Sequence, residues 1–309
     1  MPATEVASEN CYHAPMRIIS FLPSGTEIVY MLGAGDQLVG RSHECDFPPE
    51  VAALPVVSRP ALELQSFSPD QIDTAISERM STGASMYAID EVLLRELRPD
   101  VIITQDLCRV CAPSGNELSR AVRDFDTTPE ILFLTPRTLS EIEDNIAAVG
   151  RATGRESEAL SLIDANRLRI ASVREKVAGA IPRRVVFLEW TDPLFCAGHW
   201  VPEMIAIAGG HDPLGRSGAD SVRVGWQEVI DARPEVIIVS PCGYRLDDSI
   251  ELARSVPKLD GVEVCAVDAN SYYARPGPRA AEAVELLGNL LHPDAVDWPH
   301  AHKPWAVIG

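Results

Sequence analysis

Five of the seven cysteines, Cys45, Cys108, Cys111, Cys196 and Cys242, fall in segments that read as loops at strand ends, where burial alone does not call for a thiol. Cys108-Arg109-Val110-Cys111 is a C-x-x-C and Cys196-Ala197-Gly198-His199 a C-x-x-H. Either spacing lets two soft ligands meet one metal ion from a tight turn. His43 and His199 stand in such loops in opposite halves of the chain, and a neutral imidazole there suits an axial position on iron or cobalt. The candidate metal ligands are therefore His43, Cys45, Cys108, Cys111, Cys196, His199 and Cys242; the competing reading makes them half-buried thiols and hydrogen-bonded loop histidines. The same loops carry Met80, Tyr87, Trp190, Trp200, Tyr244, Tyr272 and Tyr273, with Ser24 and Gln105 as polar groups. Broad aromatic faces suit the wall of a macrocycle pocket, and inter-lobe packing is the alternative.

Two echoes along the chain say which elements position these loops. Arg98-Pro99-Asp100-Val101-Ile102-Ile103 is matched by Arg233-Pro234-Glu235-Val236-Ile237-Ile238, each a helix end, a proline and a buried strand, with Cys108 and Cys242 beyond. Leu32 to Gly40 resembles Ala208 to Gly215 and precedes the first echo in both halves. The expected architecture is α/β: two Rossmann-like lobes with parallel sheets and a ligand cleft between them at the strands' carboxyl ends. The expected boundaries are a disordered arm over 1–15, an N-terminal lobe over 16–138, a helical linker over 139–180 and a C-terminal lobe over 181–309. In the linker, Leu160, Ile163, Ile170, Val173 and Val177 recur at helical spacing, which predicts one long backbone helix over Glu156 to Ala178, roughly 30 to 35 Å in length. Elsewhere the pattern predicts a helix over Pro69 to Ser77, a Gly/Ser-rich loop over Arg79 to Tyr87, and an irregular tail from His292.

The 309 residues suffice for two domains, and the formal net charge of −18 argues against nucleic acid and anionic membranes as partners. No apolar run approaches a membrane span. Met1 to Pro15 has neither a basic region nor an apolar core, so a cytoplasmic location is expected, or a periplasmic or cell-surface one if an export signal has been removed. No G-x-x-x-x-G-K loop, no G-x-G-x-x-G after a strand and no catalytic Ser/His/Asp order or carboxylate pair stands out, so no enzyme activity is expected.

Ile19-Ser20-Phe21-Leu22-Pro23-Ser24-Gly25-Thr26-Glu27, then Leu32-Gly33, Leu38-Val39-Gly40 and Arg98 to Gln105, resemble the cobalamin- and iron-siderophore-binding proteins of ABC importers, closest to the cobalamin-binding branch. The likeness runs from Arg17 to Leu291. It implies a non-catalytic protein that holds a corrinoid between lobes joined by a backbone helix, with little domain closure, and a permease as partner. In such proteins aromatic side chains of both lobes contact the corrin, which points to Tyr87, Trp190 and Trp200, and exposed docking acids to Glu27 and Glu203; from the strand-end loops Ser24, Gln105, Tyr244 and Tyr272 join the expected ligand contacts. Haem or a ferric siderophore would keep the fold and change the ligand. The Cys/His-rich loops leave open a cytoplasmic metalloprotein holding zinc or an iron–sulfur cluster.

Overall fold

The computed structural model describes residues 16–309 apart from 65, 83, 106–117, 119, 124 and 126. The two Arg-Pro segments play the same part in each lobe. Arg98 and Arg233 both sit just past a helix in the left-handed region, with φ of 42° and 48°, a conformation that L side chains rarely adopt. The acid that follows then clamps the neighbouring strand. Asp100 accepts from the Arg17 amide at 2.8 Å and Glu235 from the Arg184 amide at 2.9 Å. Arg17 and Arg184 complete the match by donating Nε to the carbonyls of Leu97 and Arg233.

In the N-terminal lobe these clamps start a parallel sheet. Its strands are β1 (Ile18–Ser20), β2 (Leu38–Arg41), β5 (Val101–Thr104) and β6 (Glu130–Phe133), in the order β2-β1-β5-β6. Between β2 and β5 in the chain, β3 (Ser58–Pro60) and β4 (Tyr87–Ile89) pair as an antiparallel ribbon. The C-terminal lobe holds β7 (Arg183–Thr191), β8 (Leu194–Cys196), β9 (Gly198–His199), β10 (Gly210–His211), β11 (Arg216–Ser217), β12 (Val236–Val239), β13 (Glu263–Val267) and β14 (Trp305–Ile308). Its main sheet runs β10-β7-β12-β13-β14. The central strands β5 and β12 are buried along their whole length, as parallel strands covered on both faces must be.

Helices Leu139–Thr153 and Glu156–Lys176 join the lobes, the latter being the expected long backbone helix. One apolar cluster runs unbroken from Ile18 and Ile103 through Ile142, Ile163 and Val173 to Phe187, Ile238 and Leu287. The bridge is thus core rather than tether. Three expectations change. Leu160 points outward at 61% exposure, since only Ala159, Ile163, Asn166 and Val173 of this helix are buried. The helix at Pro69 continues to Ser81, started by a Ser68–Gln71 capping box, so Met80 lies on a helix and not in a loop. The tail is not wholly irregular: Trp305–Ile308 pairs antiparallel with β13. No helix among the described residues is long and apolar enough to cross a membrane.

Two outcomes follow from packing and charge. A Cβ at Gly150 would stand 2.5 Å from Ala159 Cβ, so Gly150→Val is expected to cost about 1–3 kcal/mol by overpacking, read as a lower melting temperature in circular dichroism. Asp212 accepts amides from Phe187, Leu214 and Gly215, yet burial pushes its carboxyl from 3.8 up to about 6. Folding then favours the protonated form, so stability should fall as pH rises from about 4 to 6, and Asp212→Asn should flatten that slope in urea titrations.

Candidate functional site

The carboxyl ends of the two sheets meet across a seam, and a buried carboxylate marks its floor. Glu27, on the helix Pro23–Met31 that follows β1, is 1% exposed. From the opposite lobe Arg275 reaches its Oε1 at 3.0 Å, while Arg279 donates to Oε1 at 2.6 Å and Oε2 at 2.9 Å. Arg275 also pairs with Asp46 at 2.7 Å and donates to the Glu44 carbonyl and Asn270. Burial works against the Arg275 charge, and Glu27 and Asp46 outweigh it. Burial likewise opposes the Asp46 charge, but Arg275 and Arg245 carry its carboxyl below the usual range. The approach is close: a Cβ at Gly277 would lie 3.3 Å from Ser24 Cβ. The guanidinium of Arg279 lies 4.3 Å from the centre of the Phe47 ring.

Outward from this floor lie groups that can meet a ligand. Trp190, at the end of β7, stands edge-on to Tyr244 with ring centres 5.4 Å apart. Its indole N–H bonds the Asp192 carbonyl at 3.0 Å and reaches the Pro69 carbonyl of the other lobe at 3.4 Å. On the N-terminal side, the His43 and Tyr87 rings lie 5.6 Å apart, and Tyr87 donates to Glu44 at 3.4 Å. Burial lowers the His43 pKa, with the nearby Arg41 adding to it against the Ser58 contact, so its imidazole is neutral at pH 7. Burial raises the Glu44 pKa, with Arg275 and Tyr87 opposing. Ser24, in the first turn of the helix Pro23–Met31, and Gln105, just past β5, are buried, and Ser24 Oγ has no hydrogen-bond partner among the described residues.

Other candidates lie elsewhere. Trp200 is 7% exposed and part of the main core. Tyr272 is buried, its hydroxyl 2.9 Å from His302 Nε2 and its pKa pushed up to about 12, chiefly by burial. Both carry an apolar body that folding buries more effectively than a ligand would. Cys45 faces the N-terminal core, where Thr26 donates to its sulfur at 3.1 Å, and burial raises its pKa. Cys196 is buried in the C-terminal lobe, Cys242 is exposed past β12, and His199 pairs with Asp220 at 3.2 Å. Cys108 and Cys111 lie outside the described residues. Among those described, no three His, Cys, Asp or Glu side chains converge as a metal site. The zinc or iron–sulfur cluster therefore has no assembled ligand set there.

Both docking acids are also corrected. Glu27 is sealed between two arginines and presents nothing to a partner. Glu203 is half-buried, and its Oε2 accepts the Leu139 amide at 3.0 Å at the start of the first linker helix. What sequence reading missed is the arginine side of the seam. A signal existed in Ala274-Arg275-Pro276-Gly277-Pro278-Arg279, two cations on a rigid turn, and in Glu27 as the one charge in an apolar helix.

Two α/β lobes bridged by a helix that packs one face into their shared core, with aromatic groups at facing strand ends, define a two-lobed substrate-binding protein. Residues 18–256 match the family model described as "Periplasmic binding protein", and the chain belongs to that family. A vitamin B12-binding protein of Vibrio cholerae serotype O1 is 28% identical over 283 residues, 89% of this chain and 88% of that protein. An uncharacterized ABC transporter substrate-binding lipoprotein of Bacillus subtilis, YvrC, is 25% identical over 295 residues, 91% and 81% of the two chains. Among solved structures, the apo periplasmic heme-binding protein RhuT from Roseiflexus sp. RS-1 has a TM-score of 0.65 at 22% identity, covering 90% and 97%. The cytoplasmic expectation is overturned by these findings: the matching family model is that of a periplasmic binding protein, and the Bacillus subtilis relative is a lipoprotein.

Breaking the floor should be costly. Glu27→Gln leaves Arg279 buried without a carboxylate and Arg275 with Asp46 alone, and is expected to lower the unfolding free energy by about 3–5 kcal/mol in urea titrations, with Asp46→Asn costing less.

Proposed function

We propose that this protein binds a corrinoid, cobalamin or a close relative, between its lobes and hands it unchanged to an ABC importer's permease. The observation that carries this reading is the Trp190–Tyr244 pair at the end of β7, with Tyr87 and His43 on the other lobe. Flat aromatic faces at low entropic cost are what a large rigid macrocycle needs. Kinship to a vitamin B12-binding protein supports the same ligand class. In this reading Ser24 and Gln105 supply polar contacts from the N-terminal sheet. No bond is made or broken in the ligand, so binding and release are the whole activity.

A second reading keeps the site and replaces the corrinoid with haem or a ferric chelate. One observation favours it: the neutral, half-buried imidazole of His43 beside the Tyr87 ring, a ligand type suited to iron as well as cobalt. Titration with aquacobalamin and, separately, with haemin decides between them by absorption. Cobalamin is expected to bind with a shifted visible spectrum, and Trp190→Ala to weaken it about ten-fold or more. Saturable haemin binding with no cobalamin binding would reverse the assignment. Binding of neither would end both.

A further inference from the structure

The helix Pro69–Ser81 has no buried residue, although it runs 13 residues. A helix of that length is marginal in water unless a face packs. Pro69, Ile72, Asp73, Ile76 and Met80 share one arc of about 100° on this helix. Ile72 and Ile76 are only half-covered, Met80 is 40% exposed, and none of the three packs on the apolar clusters of either lobe. Yet this arc is turned toward the other lobe. Trp190 Nε1 reaches the Pro69 carbonyl at 3.4 Å, and Arg223 pairs with Asp73 at 2.5 Å. The helix rises from the β3–β4 ribbon, whose ends are closed by the Pro60–Tyr87 register and by the Ala61 amide on the Met86 carbonyl at 2.9 Å.

We infer that this helix is a lid over the ligand. It hinges at the ribbon, is latched to the C-terminal lobe by Asp73–Arg223, and completes the cleft with the apolar stripe Ile72, Ile76 and Met80. One contact, the Pro69 carbonyl on Trp190 Nε1, ties the helix to the Trp190–Tyr244 pair, and Asp73, on the same arc as the stripe, faces Arg223 of that lobe, so a macrocycle lying on the aromatic pair is what would cover the stripe. The latch itself is exposed, with Arg223 at 58%, and salt screens such pairs. The floor of the seam stays fixed while the lid opens.

The ligand half of this inference rests on the corrinoid reading; the latch half does not. Hydrogen exchange read by mass spectrometry on the whole ligand-free protein tests the latch. Asp73→Asn and Arg223→Gln should each speed exchange across residues 69–81 about two- to five-fold and leave 18–31 unchanged, and the charge swap Asp73→Arg with Arg223→Asp should restore slow exchange. Equal exchange in all four proteins would overturn the lid, whatever ligand the cleft takes. With aquacobalamin as probe, the wild-type off-rate should rise with salt and the rise should vanish in Asp73→Asn. Cobalamin that binds and leaves exchange at 69–81 unaltered would overturn the ligand contact. Cobalamin that does not bind at all would instead count against the corrinoid reading and remove the ligand half with it.

Discussion

Glu27 carries a negative charge to a point that is 1% exposed, which is tolerable only because Arg275 and Arg279 meet it from the other lobe. The three groups are useful together and costly apart. Their geometry is correspondingly strict: Arg279 spans both carboxylate oxygens, and Arg275 shares one of them while holding Asp46. Because the partners come from different lobes, satisfying the charge fixes the lobes' relative position. Asn166 of the backbone helix adds a buried bond to the Pro278 carbonyl within the same turn. The continuous apolar cluster behind this floor leaves little room for hinge motion.

A fixed floor shifts the burden of ligand exchange to the rim. There the inter-lobe contacts are of another kind: Arg245–Asp46 and Arg223–Asp73 pair arginines that are 67% and 58% exposed. Such pairs exchange with water at little cost, whereas the floor pair cannot. The wall between floor and rim is aromatic and half-covered. On the proposed reading, the fixed floor is organised before a ligand arrives, so ordering costs fall on the ligand and on the few groups of the rim.

Much of the fold was legible because its signals are local. A proline after a helix end, an acid and three apolar residues specify a helix stop and a buried strand with no knowledge of the rest of the chain. That pattern occurs twice, and so the two-lobed plan could be read directly. The backbone helix was legible from periodicity, but Leu160 was not, since spacing marks a face and packing decides how far along the helix that face is covered. The strand Trp305–Ile308 is short and sits among prolines, and only its pairing with β13 makes it a strand. The site was harder to read. An acid in an apolar helix has the same appearance whether it faces a partner or an arginine, and the arginines of Glu27 lie 248 and 252 residues away. Trp200 and Tyr272 were drawn into the expected site by residue type, though core and tail claim them.

The duplicated lobes differ in how they finish. In the C-terminal sheet β14 runs against the direction of its neighbours and covers Val264 to Val267 with the last residues of the chain. Among the described residues, the N-terminal sheet ends at β2 on one side and β6 on the other, with Phe133 at 42% exposure on the outer strand. Unpaired strand edges are templates for chain-to-chain association. The tail therefore moves the outer edge of this sheet from the almost wholly buried β13 to the half-covered β14, and a chain cut before Pro304 would leave Val264 to Val267 as the edge.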